Sequence, residues 1–441
     1  MPEIITLLSS LSPLLARTQL NQLVLIVEAM LAIAGRVTML GLSRWTEKGG
    51  SYRTIQRFFS TEINWPLLKW QLVRIRLMMK KGPKILVGDH TTVTKSGKET
   101  HGIGRFFSSI VGKTVPGIEF LTLSVVDVNS RTCSPIITNQ TEKPEVKASD
   151  KQAKKPSKKS KKAKKGKPGR PKGSKNKNKK EVEISKRLLF VQIALSSLLS
   201  IISTDINVAY FVFDGAFGNN EALQMVRKCN LHLVSKLRYD SALFLPFTGK
   251  YSGRGRHKKY GKRLDYQKIA KKYLKNSFIE DDIYTCIYQA QVWHKLFADM
   301  LNVVIIVKTN IKTSATSHVI LFSSDLELAW DKIIEYYQLR FQIEFNFRDA
   351  KQFWGLEDFM NIKQTQVHNA ANLAMFMVNV SQDLLEQKSG KFGQSVNDLK
   401  SWFRASKYVQ RILKLLGQNP DQILIESLAI EVSQMGRVNP L

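Results

Sequence analysis

Two short runs constrain this chain more than any others: Lys84-Ile85-Leu86-Val87-Gly88-Asp89 and Val208-Ala209-Tyr210-Phe211-Val212-Phe213-Asp214. Each is almost wholly apolar and stops at an aspartate. An apolar run of that length reads as a buried strand that delivers an acid to its edge. Taken alone, either Asp has a plainer reading as a residue that opens a turn. The second run sits in a complete unit. A helix over 184–203 precedes it, and Gly215-Ala216-Phe217-Gly218 turns the chain after it. A helix capped by Asn219 or Asn220 then runs to Lys228, followed by a strand over 232–237. Residues 120–127 and 133–138 read as two further strands joined by Val128-Asn129-Ser130-Arg131.

Residues 325–355 hold few helix breakers before Gly355, and Ser323-Ser324-Asp325 offers N-caps, so the stretch reads as one long helix. At about 100° per residue, Tyr337, Arg340, Glu344 and Lys351 fall near 0°, −60°, −20° and −40°. A phenol, two cations and one carboxylate thus share a stripe, with Arg348 beside it. A solvated charged face is the plain reading. Against it, Phe341, Phe345, Phe347 and Phe353 interrupt the polar positions, so much of the circumference should be buried. A lone Glu among cations on such a helix is a candidate metal ligand beside bound phosphates.

The pattern Tyr337-x2-Arg340-x3-Glu344-x6-Lys351 resembles the Y-R-E-K signature of bacterial insertion-sequence transposases of the DDE type. That resemblance implies an α/β fold: an RNase H-like mixed-sheet catalytic core with a β-rich insertion, an all-α N-terminal DNA-binding domain and a helical C-terminus. It also implies that Glu344 is the third metal-binding carboxylate, with Asp89 and Asp214 as the other two. Asp89-His90-Thr91-Thr92 resembles the family's first catalytic Asp, commonly followed by a Thr. Tyr337, Arg340 and Lys351, with Arg348 nearby, would bind phosphates at the transposon end. His90 reads as a neighbour and not a ligand, since imidazole suits zinc better than magnesium. The implied cofactor is a pair of Mg2+ ions, for which Mn2+ substitutes. The implied partners are double-stranded DNA, both inverted-repeat ends and target, and a second copy of the chain bridging two ends.

The net charge of +32 calls for a polyanionic partner, of which nucleic acid is the commonest. Residues 151–180 hold 16 Lys or Arg and no acid, so subtracting 16 from +32 leaves +16 on the rest. No run approaches the ~20 apolar residues of a membrane span. The N-terminus lacks the basic start of a secretion signal. The three cysteines, Cys133, Cys229 and Cys286, form no C-x2-C pair, which argues against a zinc module and fits a reducing cytosol. A cytoplasmic, nucleoid-associated protein is the expectation.

Residues 1–80 read as helical. Ser51 can cap a helix bearing Arg53, Gln56 and Arg57, which resembles the second helix of a helix-turn-helix reader, with plain helical packing as the alternative. Pro66 starts a further helix with Lys69, Arg74 and Arg76 expected on its exposed side. Residues 98–113 read as a Gly-rich basic loop near DNA. The tract from 141 to 183 is low-complexity. Within it, residues 167–175 resemble an AT-hook centred on Arg170, a minor-groove candidate, with nonspecific phosphate contact as the alternative. Between the second Asp and Glu344 lies the β-rich insertion, basic over 251–275, with strands at 283–292 and 301–307. Trp293 is its base-stacking candidate, and closing a sheet edge is its plainer role. The resulting division is 1–80, 81–140, 141–183, 184–238, 239–312, 313–385 and 386–441. Two rivals stand beside a cut-and-paste transposase: an RNase H-fold nuclease without integration, and a catalytically silent DNA binder descended from a transposase.

Overall fold

The computed structural model describes residues 2–46, 49–108, 111–141, 178–251, 253, 255–387, 392–417 and 421–435. The chain begins with five helices: α1 (Pro2–Ser9), α2 (Arg17–Ala32), α3 (Met39–Trp45), α4 (Tyr52–Ser60) and α5 (Trp65–Met79). Side-chain caps set three of their starts. Thr38, Ser51 and Asn64 accept from the backbone amides of Gly41, Thr54 and Leu67, satisfying donors that a helix leaves open. The expected all-helical composition of this region is present. Its apolar residues, however, join the same core as the sheet and the C-terminal helices. Trp65 tilts onto Phe376 at 5.8 Å and donates to Asn369.

One expectation for α5 is overturned. Lys69 is fully buried, donating to Asn372 at 2.7 Å and Thr138 at 3.2 Å. Arg76 is also covered, pairing with Asp383 at 2.5 Å. The reason is that α5 has neighbours on both sides: it packs on strand β4 (Thr132–Thr141) and on the long helix α10 (Gln364–Gln387). Only Arg74 of the three is substantially exposed.

The sheet opens with β1 (Lys84–Thr94), followed by β2 (Gly104–Ser108), β3 (Lys113–Asp127) and β4. β1 pairs antiparallel with β3 from Lys84↔Asp127 to Thr94↔Gly117, and β3 pairs antiparallel with β4. α6 (Lys186–Ile202) crosses over to β5 (Val208–Val212), which runs parallel to β1, and α7 (Asn220–Lys228) leads to β6 (His232–Leu237), parallel to β5. The order β4-β3-β1-β5-β6, three antiparallel strands then two parallel additions, is that expected of an RNase H-like core. The region 98–113 is not all loop, since β2 pairs with the start of β3.

Strands β7 (Leu243–Pro246), β8 (Tyr260–Arg263), β9 (Leu274–Glu280), β10 (Ile283–His294) and β11 (Leu301–Asn310) fall in the stretch expected to be a β-rich insertion, and β12 (Thr316–Ser323) follows it. They do not form a separate sheet. β12 pairs antiparallel with β6, so core and insertion share one sheet of 12 strands among the described residues.

The stretch expected to be one helix is two: α8 (Trp330–Leu339) and α9 (Gln342–Gln352). Ser323–Asp325 does not cap it, since Asp325 accepts instead from the Tyr210 hydroxyl at 2.7 Å. At Arg340 and Phe341 the backbone stays right-handed, but bonding tightens to three-residue steps, Ile343 to Arg340 and Glu344 to Phe341. The two halves cover different ground. α8 lies on β6, β11 and β12, whereas α9 lies on β1, β4 and α10. α11 (Val396–Leu415) and α12 (Gln422–Gln434) follow, and α11 packs against α2. All three cysteines are free thiols, and no described helix is long and apolar enough to cross a membrane.

Where β1 and β3 begin and end together, Lys84 is buried against Asp127 at 2.6 Å and also donates to the carbonyls of Lys80 and Gly82. Removing one charge of such a pair strands the other in a dry environment. Asp127→Asn is therefore expected to cost about 3–5 kcal/mol, read as a lowered urea midpoint. A midpoint equal to the wild type's would show that Lys84 finds compensation elsewhere.

Candidate active site

β1 continues past Asp89, contrary to the expected strand end there, because β3 pairs with it as far as Thr94. Its parallel partner β5 stops sooner, at Val212 opposite Val87. Asp89 therefore lies just past the point where one neighbour leaves, and faces a crevice. Asp214 follows β5 and begins a one-turn helix, where its carboxylate accepts from the Ala216 amide at 3.1 Å. The Ser235 hydroxyl donates to the Asp214 carbonyl at 2.8 Å and ties this turn to β6. Glu344 stands in the first turn of α9.

All three acids line a single open cleft of about 2280 Å³, together with Arg340, Arg348 and Lys351. Within it, Arg340 donates to Asp89 at 2.7 Å and to Glu344 at 2.9 Å, joining a core strand to the helix. Burial pushes the Asp89 carboxyl up to about 6, against the pull of Arg340, and the charges of Asp214 and Glu344 add to the rise. Arg340 stays firmly charged. Burial disfavours its cation, but Asp89 and then Glu344 more than offset that. Tyr337 lies against Arg340, its phenol pushed up chiefly by burial.

The other predicted residues fall at stated places. Lys351 donates to the Thr92 carbonyl at 2.9 Å on β1 and pairs with Glu357 at 3.2 Å. Arg348 is exposed, bonded to Asp349 and 5.0 Å from the Phe345 ring. The four phenylalanines do not all turn inward: Phe347 is buried, whereas Phe341 and Phe345 are 48 % and 38 % exposed and meet edge to face. Arg53, Gln56 and Arg57 lie on α4 opposite its buried Ile55, Phe58 and Phe59, with Arg53 donating to Gln56. Trp293 is not among the residues lining the cleft. It lies on β10 opposite Phe244, with the Lys259 ammonium 3.4 Å from its ring centroid. β10 is an interior strand, flanked by β11 and β7, so Trp293 does not lie at a sheet edge. Arg170 and the AT-hook-like segment lie outside the described residues.

Sequence reasoning overlooked the wall opposite α9. His90, Phe213 and Phe217 stack, with the two phenyl rings 3.8 Å apart, and Arg187 lies 5.4 Å from Phe217. Burial, then Arg187, pushes His90 down to about 3, so it is neutral, in keeping with a neighbour of Asp89. Lys186 and Arg187 open α6 and line the cleft. Their adjacency at a helix start just after the Lys-rich tract was the available signal.

Among the described residues, no three His, Cys, Asp or Glu side chains converge closely enough to hold a metal ion. The acids meet as the lining of one cleft, not as a ready-made ligand cluster, and a guanidinium stands between two of them. The donor set itself fits a hard divalent cation. It is all oxygen, brings the charges of Asp214 and Glu344 to bear on Asp89, whose carboxyl is raised chiefly by burial, and already holds a cation between Asp89 and Glu344.

The DDE superfamily endonuclease family matches residues 7–285, well over half of the chain. The chain belongs to that family. This DDE endonuclease is thus a metal-dependent nuclease enzyme whose substrate is DNA. The family match covers Asp89 and Asp214 of the endonuclease and ends before Glu344, which joins them through the fold. No curated protein matches the DDE endonuclease.

Proposed function

We propose that the protein is a DNA transposase of the Y-R-E-K type, from a bacterial insertion sequence, that cuts at transposon ends and transfers the freed strand into target DNA. The observation that carries this reading is that Asp89, Asp214 and Glu344, from three separate elements, line one cleft together with several cations. Asp89, Asp214 and Glu344 would hold two Mg2+ ions, and Mn2+ would substitute. When bound, such a pair activates the attacking oxygen and stabilises the leaving one. Lys351, Arg348 and Arg340 orient the phosphate and offset charge that develops on it. Tyr337 buttresses Arg340, and His90, stacked on Phe213 and Phe217, lines the cleft with Asp89. On the N-terminal helices, Arg53, Gln56 and Arg57 present a polar face for the end sequence. A dimer holding two ends completes the assembly.

The test is end-bearing duplex DNA with Mg2+, scored for cut and for joined product. Cutting and joining by the wild type, with binding but no product from Asp214→Asn and Glu344→Gln, are the expected results. Cutting without joining would make the protein a nuclease only. Binding without any cutting would make it a silent binder.

The charge distribution carries a further prediction. Each phosphate neutralised releases counterions, so binding should weaken steeply with salt. Deleting residues 151–180, with 16 of the cations, should flatten the slope of log affinity against log salt by several units. An unchanged slope would show that the tract does not contact phosphates.

A further inference from the structure

Arg340 is bonded differently from a residue waiting for phosphate. Its guanidinium is 14 % exposed and spends both terminal nitrogens on carboxylates, one on β1 and one on α9. Its Nε is buried without a hydrogen-bond partner. The residue sits at the break between α8 and α9, where the backbone can change its bonding without unwinding either helix. Asp89 and Glu344 would otherwise face each other across the cleft as two uncompensated charges. The third acid, Asp214, accepts from the Ala216 amide in its own turn, and its charge also bears on Asp89.

Resting on the reading of these acids as metal ligands, we infer that Arg340 is a built-in stand-in cation: it bridges Asp89 and Glu344 until a divalent ion displaces it. A guanidinium released in this way is free to take a phosphate oxygen pair, for which its planar fork is suited. Metal loading and DNA binding therefore favour each other, because each removes the partner that the other must displace. The metal-free, DNA-free protein holds its ligands shut, which suppresses nicking of DNA that lacks a correctly seated phosphate.

The experiment measures Mn2+ binding to the full chain without DNA, by electron paramagnetic resonance of the free ion. Arg340→Gln should bind Mn2+ about tenfold more tightly than wild type, the change that ~1.4 kcal/mol produces. Lys186→Gln removes a cleft cation that bridges no acids, so it controls for the general field and should shift affinity less than about twofold. Should Arg340→Gln fail to fold by its melting curve, Arg340→Lys replaces it. Lysine keeps the charge but cannot span both carboxylates, and should also tighten binding. Saturating duplex DNA at low salt should tighten Mn2+ binding to wild type and leave Arg340→Gln unchanged. The inference is overturned if Arg340→Gln binds as wild type does, or if Lys186→Gln gains as much. Loss of Mn2+ binding in Asp89→Asn and Glu344→Gln separates the two levels: if they bind as wild type does, the ligand reading itself fails.

Discussion

Asp89→Asn is expected to lose DNA cleavage by roughly 10³-fold or more while gaining thermal stability in the absence of metal. The loss follows from removing an acid that lines the cleft beside both other carboxylates. The gain follows from what that acid does to the resting fold. Burial lifts its carboxyl from 3.8 to about 6. The folded state thus holds the proton more tightly than the unfolded chain does. Stability is accordingly lost as pH rises from about 4 through 6, and the full cost, on the order of 3 kcal/mol, applies above that range. A neutral amide escapes it. Arg340 gives up one carboxylate partner and keeps Glu344, so the net gain should be about 1–2 kcal/mol. Near pH 8 this should raise the melting temperature by roughly 2–5 °C. Near pH 3 the two proteins should converge, because Asp89 is then protonated in both states. A variant that melts below wild type at pH 8 would mean that the Arg340 bridge outweighs the burial of Asp89.

Gly218→Ala is the second large effect. A Cβ at Gly218 would stand 2.1 Å from the Lys236 carbonyl oxygen, a backbone atom that cannot swing aside. Either β6 or the turn carrying Asp214 must move. Displacing an acid by about 1 Å can cost ~10²-fold in rate, and that is the expected loss of cleavage. Gly215, in the same turn, provides the contrast. There a Cβ would meet its nearest neighbour, the Lys236 Cβ, at an ordinary 3.5 Å. Gly215→Ala should retain cleavage within a few-fold, even though it adjoins Asp214. Equal damage from both substitutions would show that the turn's flexibility matters, not its close approach to β6.

The strands were legible because their physics is local. An unbroken apolar run must be buried wherever it ends up, so 84–89 and 208–214 announced themselves, and each brought its aspartate to the same crevice. The helix–strand alternation after residue 184 was equally plain, and so was the exposed polar face of α4. Lys69 was not. A lysine in an amphipathic helix reads as solvent-facing unless one knows that α10 and β4 close over it and supply Asn372 and Thr138. Phe341 and Phe345 were misread in the opposite sense, since aromatic content does not report which face of a helix has a neighbour.

Spacing made Tyr337, Arg340, Glu344 and Lys351 candidates for one helical face, because a helical turn repeats regardless of its surroundings, although a break at Arg340 divides them between α8 and α9. The apolar runs likewise marked two buried strands with an acid on or just after each, although β1 runs on past Asp89 to Thr94. Only the tertiary structure decided that the helix divides at Arg340, because α8 and α9 must cover different parts of the sheet. Only it decided that Arg340 would reach a carboxylate 251 residues away. A chain carries its local periodicities in plain view, but the partner of a buried charge is chosen by how the layers pack.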